Sequence, residues 1–435
     1  MDPVELLLLS VAAVFFVGVL GEVVFAKTNV PDVIWLIAVG VLFGPVLGWV
    51  PAAPMTLIAP YFGAITLVIV LFNGGTSLEL AGLMRSAPRA LGLAILSFAA
   101  SVAGVASVVL LFSWSGALPA SWGFGHAIIT GAILGGSSSI VIMPAMQQAN
   151  LRPDVANAVN LESALTDVLC VVVTGAAISI VSPEAGGGGD SVAQTIAASF
   201  GIGIGIGGVA GLLWIFLQPY FSGSEHEYPV TLGALFVLYV VVSRLGGSAA
   251  LAILTTAVMI GNSRSIASGL GIQREVHLDA ALQGLHGQIT FIVKSFFFTF
   301  IGVMLRPPWE FLGIGVVLGA ILVIVRVPAT VAALFRSSLS TSEKRLIGIL
   351  LPRGMAAGVL AMMPHYAGIP DTEGLPAIVF AGVVTTILVF ALGFPAAKKR
   401  VAGEADQQKS DAEAALLPAP GSQTAGPSAP PAAED

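Results

Sequence analysis

Two acids survive inside an otherwise apolar stretch of this chain, Glu162 and Asp167, in the run Glu-Ser-Ala-Leu-Thr-Asp. A lone ionised group in hydrocarbon is costly, so an acid retained there is a functional candidate. Five residues apart on a helix, the two are separated by roughly 140° of rotation and about 7.5 Å of rise, and therefore face different neighbours. One can take a basic partner while the other stays free for a mobile ligand, with Ser163 one turn from Asp167. An aspartate left unpaired in a water-poor cavity can trade a proton for a cation near neutral pH. Among the bases, Lys294, Arg326 and Arg353 fall inside apolar runs. A buried ion pair that only locks two helices together is the plain alternative for any one pair, but it accounts less well for five such groups in one chain.

These groups need elements that carry them to one place. The helix before Glu162 reads Gly-Ala-Ile-Leu-Gly-Gly-Ser-Ser-Ser-Ile-Val-Ile-Met-Pro over 131–144, and its glycines, its three hydroxyls Ser137, Ser138 and Ser139, and its proline predict an interruption. A second break is expected at Leu-Pro-Arg-Gly-Met-Ala-Ala-Gly, 351–358, around Pro352, Arg353 and Gly354. Interrupted helices in opposite halves of a transporter offer carbonyls and helix ends to ions at the bilayer midplane. Ordinary proline kinks are the simpler reading of either alone.

The chain has 435 residues, of which 56% are hydrophobic and only 10% charged; a soluble domain carries about a quarter charged. Apolar runs place about thirteen membrane helices, near 5–26, 31–50, 56–73, 89–113, 125–148, 157–182, 192–219, 228–245, 248–263, 286–306, 309–335, 343–364 and 375–396, each roughly the length a bilayer requires. The expected class is an all-α polytopic membrane protein with no soluble catalytic domain, embedded in lipid. The acidic start, Met-Asp-Pro-Val-Glu, predicts a retained first helix rather than a cleaved signal. Lys27, Arg85, Arg89, Arg152, Arg264, Arg274, Arg336, Lys344, Arg345 and 398–400 then share one side, which places the amino terminus outside the cytoplasmic membrane and the carboxyl terminus in the cytoplasm. Residues 398–435 form a cytoplasmic tail of Ala, Pro, Gly, Ser and charge that is expected to be disordered. The net charge of −6 and the lack of a basic cluster exclude nucleic acid as a partner. The single cysteine, Cys170, builds neither a disulfide framework nor a thiolate metal site. The glycine run at 201–208 lacks a preceding strand, which favours close helix packing over a nucleotide loop.

At these residues, over roughly 5–397, the chain resembles the monovalent cation/proton antiporter superfamily, the sodium/hydrogen exchanger group. Glu162 to Asp167 is similar to the family's Glu-Ser-x-x-Asn-Asp stretch, Gly40 to Pro45 to its second-helix signature, and Phe296 to Gly302 to its Phe-x-Phe-x-x-Gly helix. Leu351 to Gly354 resembles its Leu-Arg-Gly segment, and Arg326 falls where the family carries a basic residue. The resemblance implies an inverted-repeat antiporter fold with two broken crossing helices, Asp167 as carrier of ion and proton, and an ion pair between Glu162 and Arg326. It also implies an elevator motion of a core bundle, 89–182 and 309–396, against a dimerisation bundle, 5–73 and 192–306, within a transmembrane domain 1–397, and hence a homodimer. The chain departs from the pattern at Ser137, Ser138 and Ser139, where many members carry Thr-Asp-Pro, and at Thr166, where they carry Asn or Asp. Coordination is thereby left to hydroxyls and carbonyls: Ser137, Ser138, Ser139, Ser163 and Thr166 beside Asp167. Lys294 is expected to snorkel from a helix end, and Asn73, in a family-like Phe-Asn-Gly-Gly, to act as an end cap.

The expected function is exchange of Na+ or K+ for H+, without enzymatic chemistry or a cofactor. A cation-coupled symporter of a small organic anion on the same architecture is the main alternative, and a sensor acting through its tail is a weaker one.

Overall fold

The computed structural model describes residues 2–28, 30–76, 78, 80–148, 153–182, 192–221, 226–269, 280–335, 337 and 339–416. Among them every regular element is helical. The order is α1 (Pro3–Thr28), α2 (Asp32–Val41), α3 (Ala52–Thr76), α4 (Leu80–Trp114), α5 (Phe124–Ile133), α6 (Ser139–Gln148), α7 (Pro153–Val181), α8 (Val192–Phe221) and α9 (Glu227–Arg244). Then come α10 (Ala249–Gly261), α11 (Ser263–Gly269), α12 (Ala280–Met304), α13 (Trp309–Ala333), α14 (Thr341–Ile349), α15 (Met355–Leu360), α16 (Met363–Tyr366) and α17 (Leu375–Leu416).

Nine of the described helices are long and apolar enough to cross a membrane, or ten if α10 and α11, bent by 72°, count as one span. The remaining expected spans are shorter pieces. The run at 31–50 is α2 continued by a π-helical turn, Leu42–Val46, around Pro45, whose missing N–H breaks the regular ladder. The run at 125–148 is split at 134–138, and that at 343–364 at 350–354 and again at 361–362.

Glycine sets how closely the helices approach. Gly40 of α2 lies against the Thr299 carbonyl and Gly302 of α12, so neither glycine has room for a Cβ. In the 201–208 run, Gly207 packs on Ala252 and Gly203 on Ser248, while Gly201, Gly205 and Gly208 meet nothing within 4 Å; the run serves helix packing on one face. Gly315 and Gly319 of α13 do the same against Ala381 and Thr385 of α17. Two groups of helices result. In one, α4, α5, α7, α13 and α17 pack together; in the other, α2 packs on α1 and α12, and α10 on α3, α8 and α9.

The last helix runs on to Leu416, past residue 398 where the sequence suggests a disordered tail, and 417–435 lie outside the described residues. Residues 398–416 are rich in Ala, Glu, Gln and Lys, strong helix formers that extend a helix already nucleated in the membrane. The extension also docks, since Ser342 Oγ in the first turn of α14 donates to Glu404 Oε1 at 2.5 Å.

Candidate functional site

Breaking a helix leaves backbone groups without their usual partners, and buried ones must find others. After α5 the chain passes through Leu134–Ser138, all buried. The Gly135 carbonyl accepts from Arg353 Nη1 at 3.0 Å, and the Ser137 N–H donates to Thr166 Oγ1 at 3.1 Å. The Ser138 N–H donates to the Pro352 carbonyl at 2.8 Å, so the two interruptions are joined by backbone. Gly136 passes so close to α7 that a Cβ there would sit 2.8 Å from the Thr166 carbonyl and 2.7 Å from Cys170 Sγ.

The second interruption is held from three sides. The Arg353 N–H donates to Thr386 Oγ1 of α17 at 3.0 Å, and Arg353 Nη2 donates to Ser101 Oγ of α4 at 3.0 Å. The Leu350 carbonyl accepts from Arg326 Nη2 at 3.1 Å. Ser101 and Thr386 are site-supporting residues that the sequence did not single out, because a hydroxyl in an apolar span carries no mark of its distant partner.

At the crossing, Arg326 of α13 clasps Glu162 of α7 with two charge-assisted bonds, Nη1 to Oε1 at 2.6 Å and Nη2 to Oε2 at 2.8 Å, the planar bidentate geometry that makes such pairs strong. Both side chains are buried. Ser137, Ser163 and Thr166 gather at this pair: Ser137 Oγ lies 3.1 Å from Ser163 Oγ, 3.4 Å from Thr166 Oγ1 and 3.5 Å from Glu162 Oε1. Of the five predicted hydroxyls, Ser139 is the one whose hydroxyl reaches Asp167, at 3.5 Å from Oδ2. Asp167 is partly exposed where Glu162 is fully buried. Among the described residues no basic side chain lies within 4 Å of its carboxylate. One acid is thus neutralised by a fixed partner, and the other, on a different face of α7, is not.

Gly354 makes the crossing possible, because a Cβ there would overlap Ser138 Cβ and Oγ. Gly354→Ala should therefore push the Ser138 and Pro352 backbones apart, costing about 1 to 3 kcal/mol as overpacking does. Thermal melting checks this against Gly92→Ala, an exposed α4 position with nothing within 4 Å, where no loss is expected.

Two sequence expectations are corrected. Lys294 is not snorkelling from a helix end: it lies mid-way along α12, 9% exposed, with Nζ 2.6 Å from Asp32 Oδ2 and 3.0 Å from Glu22 Oε1. Asn73 is not an end cap, since α3 continues to Thr76. Its Oδ1 lies 3.0 Å from His286 Nε2, and the other ring nitrogen lies 2.9 Å from the Tyr228 hydroxyl. Among the described residues, no group of three or more His, Cys, Asp or Glu is placed to hold a metal ion.

An all-helical membrane domain with two interrupted helices meeting at a carboxylate is the architecture of a secondary transporter. The chain belongs to the sodium/hydrogen exchanger transmembrane family, whose model matches residues 11–397, a family of transporters rather than enzymes. It is similar to the K(+)/H(+) antiporter NhaP of Alkalimonas amylolytica, 23% identical over 89% of this chain and 65% of that protein. It is also similar to the K(+)/H(+) antiporter NhaP2 of Shewanella sp. strain MR-4, 25% identical over 89% of this chain and 66% of that protein. The chain therefore spans just under two thirds of the length of these bacterial relatives. The Na(+)/H(+) antiporter 1 of Methanocaldococcus jannaschii is 22% identical over 83% of each chain. The fold matches the solved structure of the sodium proton antiporter MjNhaP1 from that organism at pH 8, with a TM-score of 0.72 at 18% identity, covering 91% of this chain and 98% of the other.

Proposed function

We propose that this protein exchanges a monovalent cation, Na+ or K+, for H+ across the cytoplasmic membrane by alternating access at Asp167. The observation that carries this reading is the contrast on α7: Arg326 fixes the charge of Glu162 through two hydrogen bonds, while Asp167 has one long contact to a hydroxyl. A carboxylate without a fixed counter-ion binds either a proton or a metal cation, and exclusive occupancy by one or the other is what couples the two fluxes. An organic-anion symporter needs a free fixed positive charge. Here the Arg326 charge is matched by Glu162, and the Arg353 guanidinium, though without an acidic partner among the described ion pairs, spends its donors on the Gly135 carbonyl and the Ser101 hydroxyl.

In this reading 89–182 and 309–396 form a core bundle that moves as an elevator against a dimerisation bundle, 5–73 and 192–306, of a homodimer, with the amino terminus outside. Flux of protons driven by Na+, Li+ or K+ in everted vesicles tests the exchange and ranks the cations; no cation-dependent proton movement by inserted protein would overturn it.

The stoichiometry follows from counting free titratable groups. Thr166 has a hydroxyl that does not ionise at physiological pH, Glu162 is held by Arg326, and Lys294 sits between two carboxylates. Asp167 alone cycles, one proton for one cation. Net charge per cycle should be zero, so a potential worth about 2.3 kcal/mol per 100 mV per charge should leave turnover unchanged. Liposomes with a clamped potassium diffusion potential check this for Na+ exchange, and a voltage-dependent rate would exclude the one-for-one cycle.

A further inference from the structure

A cavity of about 290 Å3 lies between α7, α8, α9 and the start of α10, and none of the site residues described above lines it. Its wall includes Val171 and Gly175, one and two helical turns beyond Asp167 on α7, so it begins within roughly 6 Å of rise of that carboxylate. Four serine hydroxyls line it, Ser179, Ser199, Ser243 and Ser248, with the Tyr239 phenol among the lining residues and no charged side chain. The cavity also meets the last turns of α7 and α9, whose ends carry partial negative charge, although the α9 carbonyls of Val241, Val242 and Ser243 are capped by the N–H groups of Leu245, Gly246 and Gly247. The positive start of α10 is masked, because Ser248 Oγ accepts from the Leu251 N–H at 3.4 Å.

A neighbouring cavity of about 400 Å3 is of different character, lined by Phe62, Phe297 and Phe300. Leu67, Tyr239 and Met363 border both spaces and divide the oxygen-rich one from the aromatic one. A monovalent cation leaving water needs oxygen ligands in place of lost waters, which the first space provides through four serines, whereas the second offers only the phenols of Tyr239 and Tyr366.

We propose that the hydroxyl-lined cavity is the non-cytoplasmic access route to Asp167, and that Ser179, Ser199, Ser243 and Ser248 replace part of a monovalent cation's water shell along it. This rests on the antiport reading and on an external amino terminus, which puts the Val181 end of α7 outside. Because the route carries oxygen but no carboxylate, it passes cations without holding them, leaving binding and proton competition to Asp167.

The test places single cysteines by Ser179→Cys, Ser199→Cys and Ser243→Cys in otherwise native protein, whose sole cysteine, Cys170, is buried and serves as the unlabelled control. Purified protein is reconstituted in one orientation, and membrane-impermeant thiosulfonates of similar size, one cationic and one anionic, are added from either side. Labelling is read by mass and exchange by flux. The expected result is labelling from the amino-terminal side alone. The cationic adduct should slow exchange roughly tenfold, as a fixed positive charge near the path of a cation demands at protein-surface dielectric, and the anionic adduct should slow it less. No labelling from either side, labelling from the opposite side alone, or equal loss with both reagents would each overturn the proposal. Failure of the antiport reading shows separately, as absent cation-dependent proton flux in the unlabelled native chain.

Discussion

Asp167→Asn should abolish cation/proton exchange while leaving a folded, inserted protein. The amide keeps the size of the carboxylate and a hydrogen-bonding oxygen for Ser139, so the crossing of α5, α6, α14 and α15 has no reason to collapse. It cannot take up or release a proton at physiological pH, and a group that must transfer one loses at least about a hundredfold in rate when it is neutralised. On the proposed mechanism, in which proton and cation compete for the Asp167 oxygens, proton flux and cation flux should vanish together. Substantial exchange by a correctly inserted Asp167→Asn protein would remove Asp167 from the centre of the mechanism. A melting temperature far below that of the native chain would instead make Asp167 structural.

Glu162 and Arg326 should behave in the opposite way, as a pair whose loss is felt in stability before it is felt in chemistry. Removing one partner strands the other's charge in a buried site, which costs on the order of 3 to 5 kcal/mol. The Arg326→Gln chain should suffer the larger change in local structure, because Arg326 also donates to the Leu350 carbonyl at the mouth of the second interruption. Neutralising both residues together should restore part of the loss, as a double-mutant cycle on a coupled pair requires. Thermal denaturation of Glu162→Gln, Arg326→Gln and the double variant measures this directly. Single variants that melt like the native protein would show that the pair contributes no stability.

Much of this arrangement was legible in the chain because bilayer thickness and the expense of buried charge leave few choices. The apolar runs, the glycine and serine cluster at 135–139 and the Leu-Pro-Arg-Gly at 351–354 marked both interruptions, and both are present. The bidentate partner of Glu162 came only from resemblance, since nothing in the spacing of Arg326 singles out an acid 164 residues earlier. The partners of Lys294 were missed for a related reason. Asp32 opens α2 directly after Pro31 and Glu22 nears the end of α1, positions that read as water-exposed until α12 packs against them. The helical course of 398–416 was misjudged because mean composition was weighed where the dominant influence is continuation from α17 and a dock on Ser342. Periodicity reports which face of a helix is apolar; it does not report which other helix that face meets.

The described ion pairs have a distribution that bears on movement. Glu162 with Arg326 joins α7 to α13, and Lys294 with Asp32 and Glu22 joins α12 to α2 and α1. Neither joins one group of helices to the other, where Leu67, Phe62, Phe297, Val359 and Met362 face across a partly empty boundary. Directional bonds resist sliding because each has a single geometry, whereas apolar contacts trade one neighbour for another at little change in energy. The proposed elevator motion would therefore leave every described ion pair intact, like two keyed blocks separated by a greased shear plane.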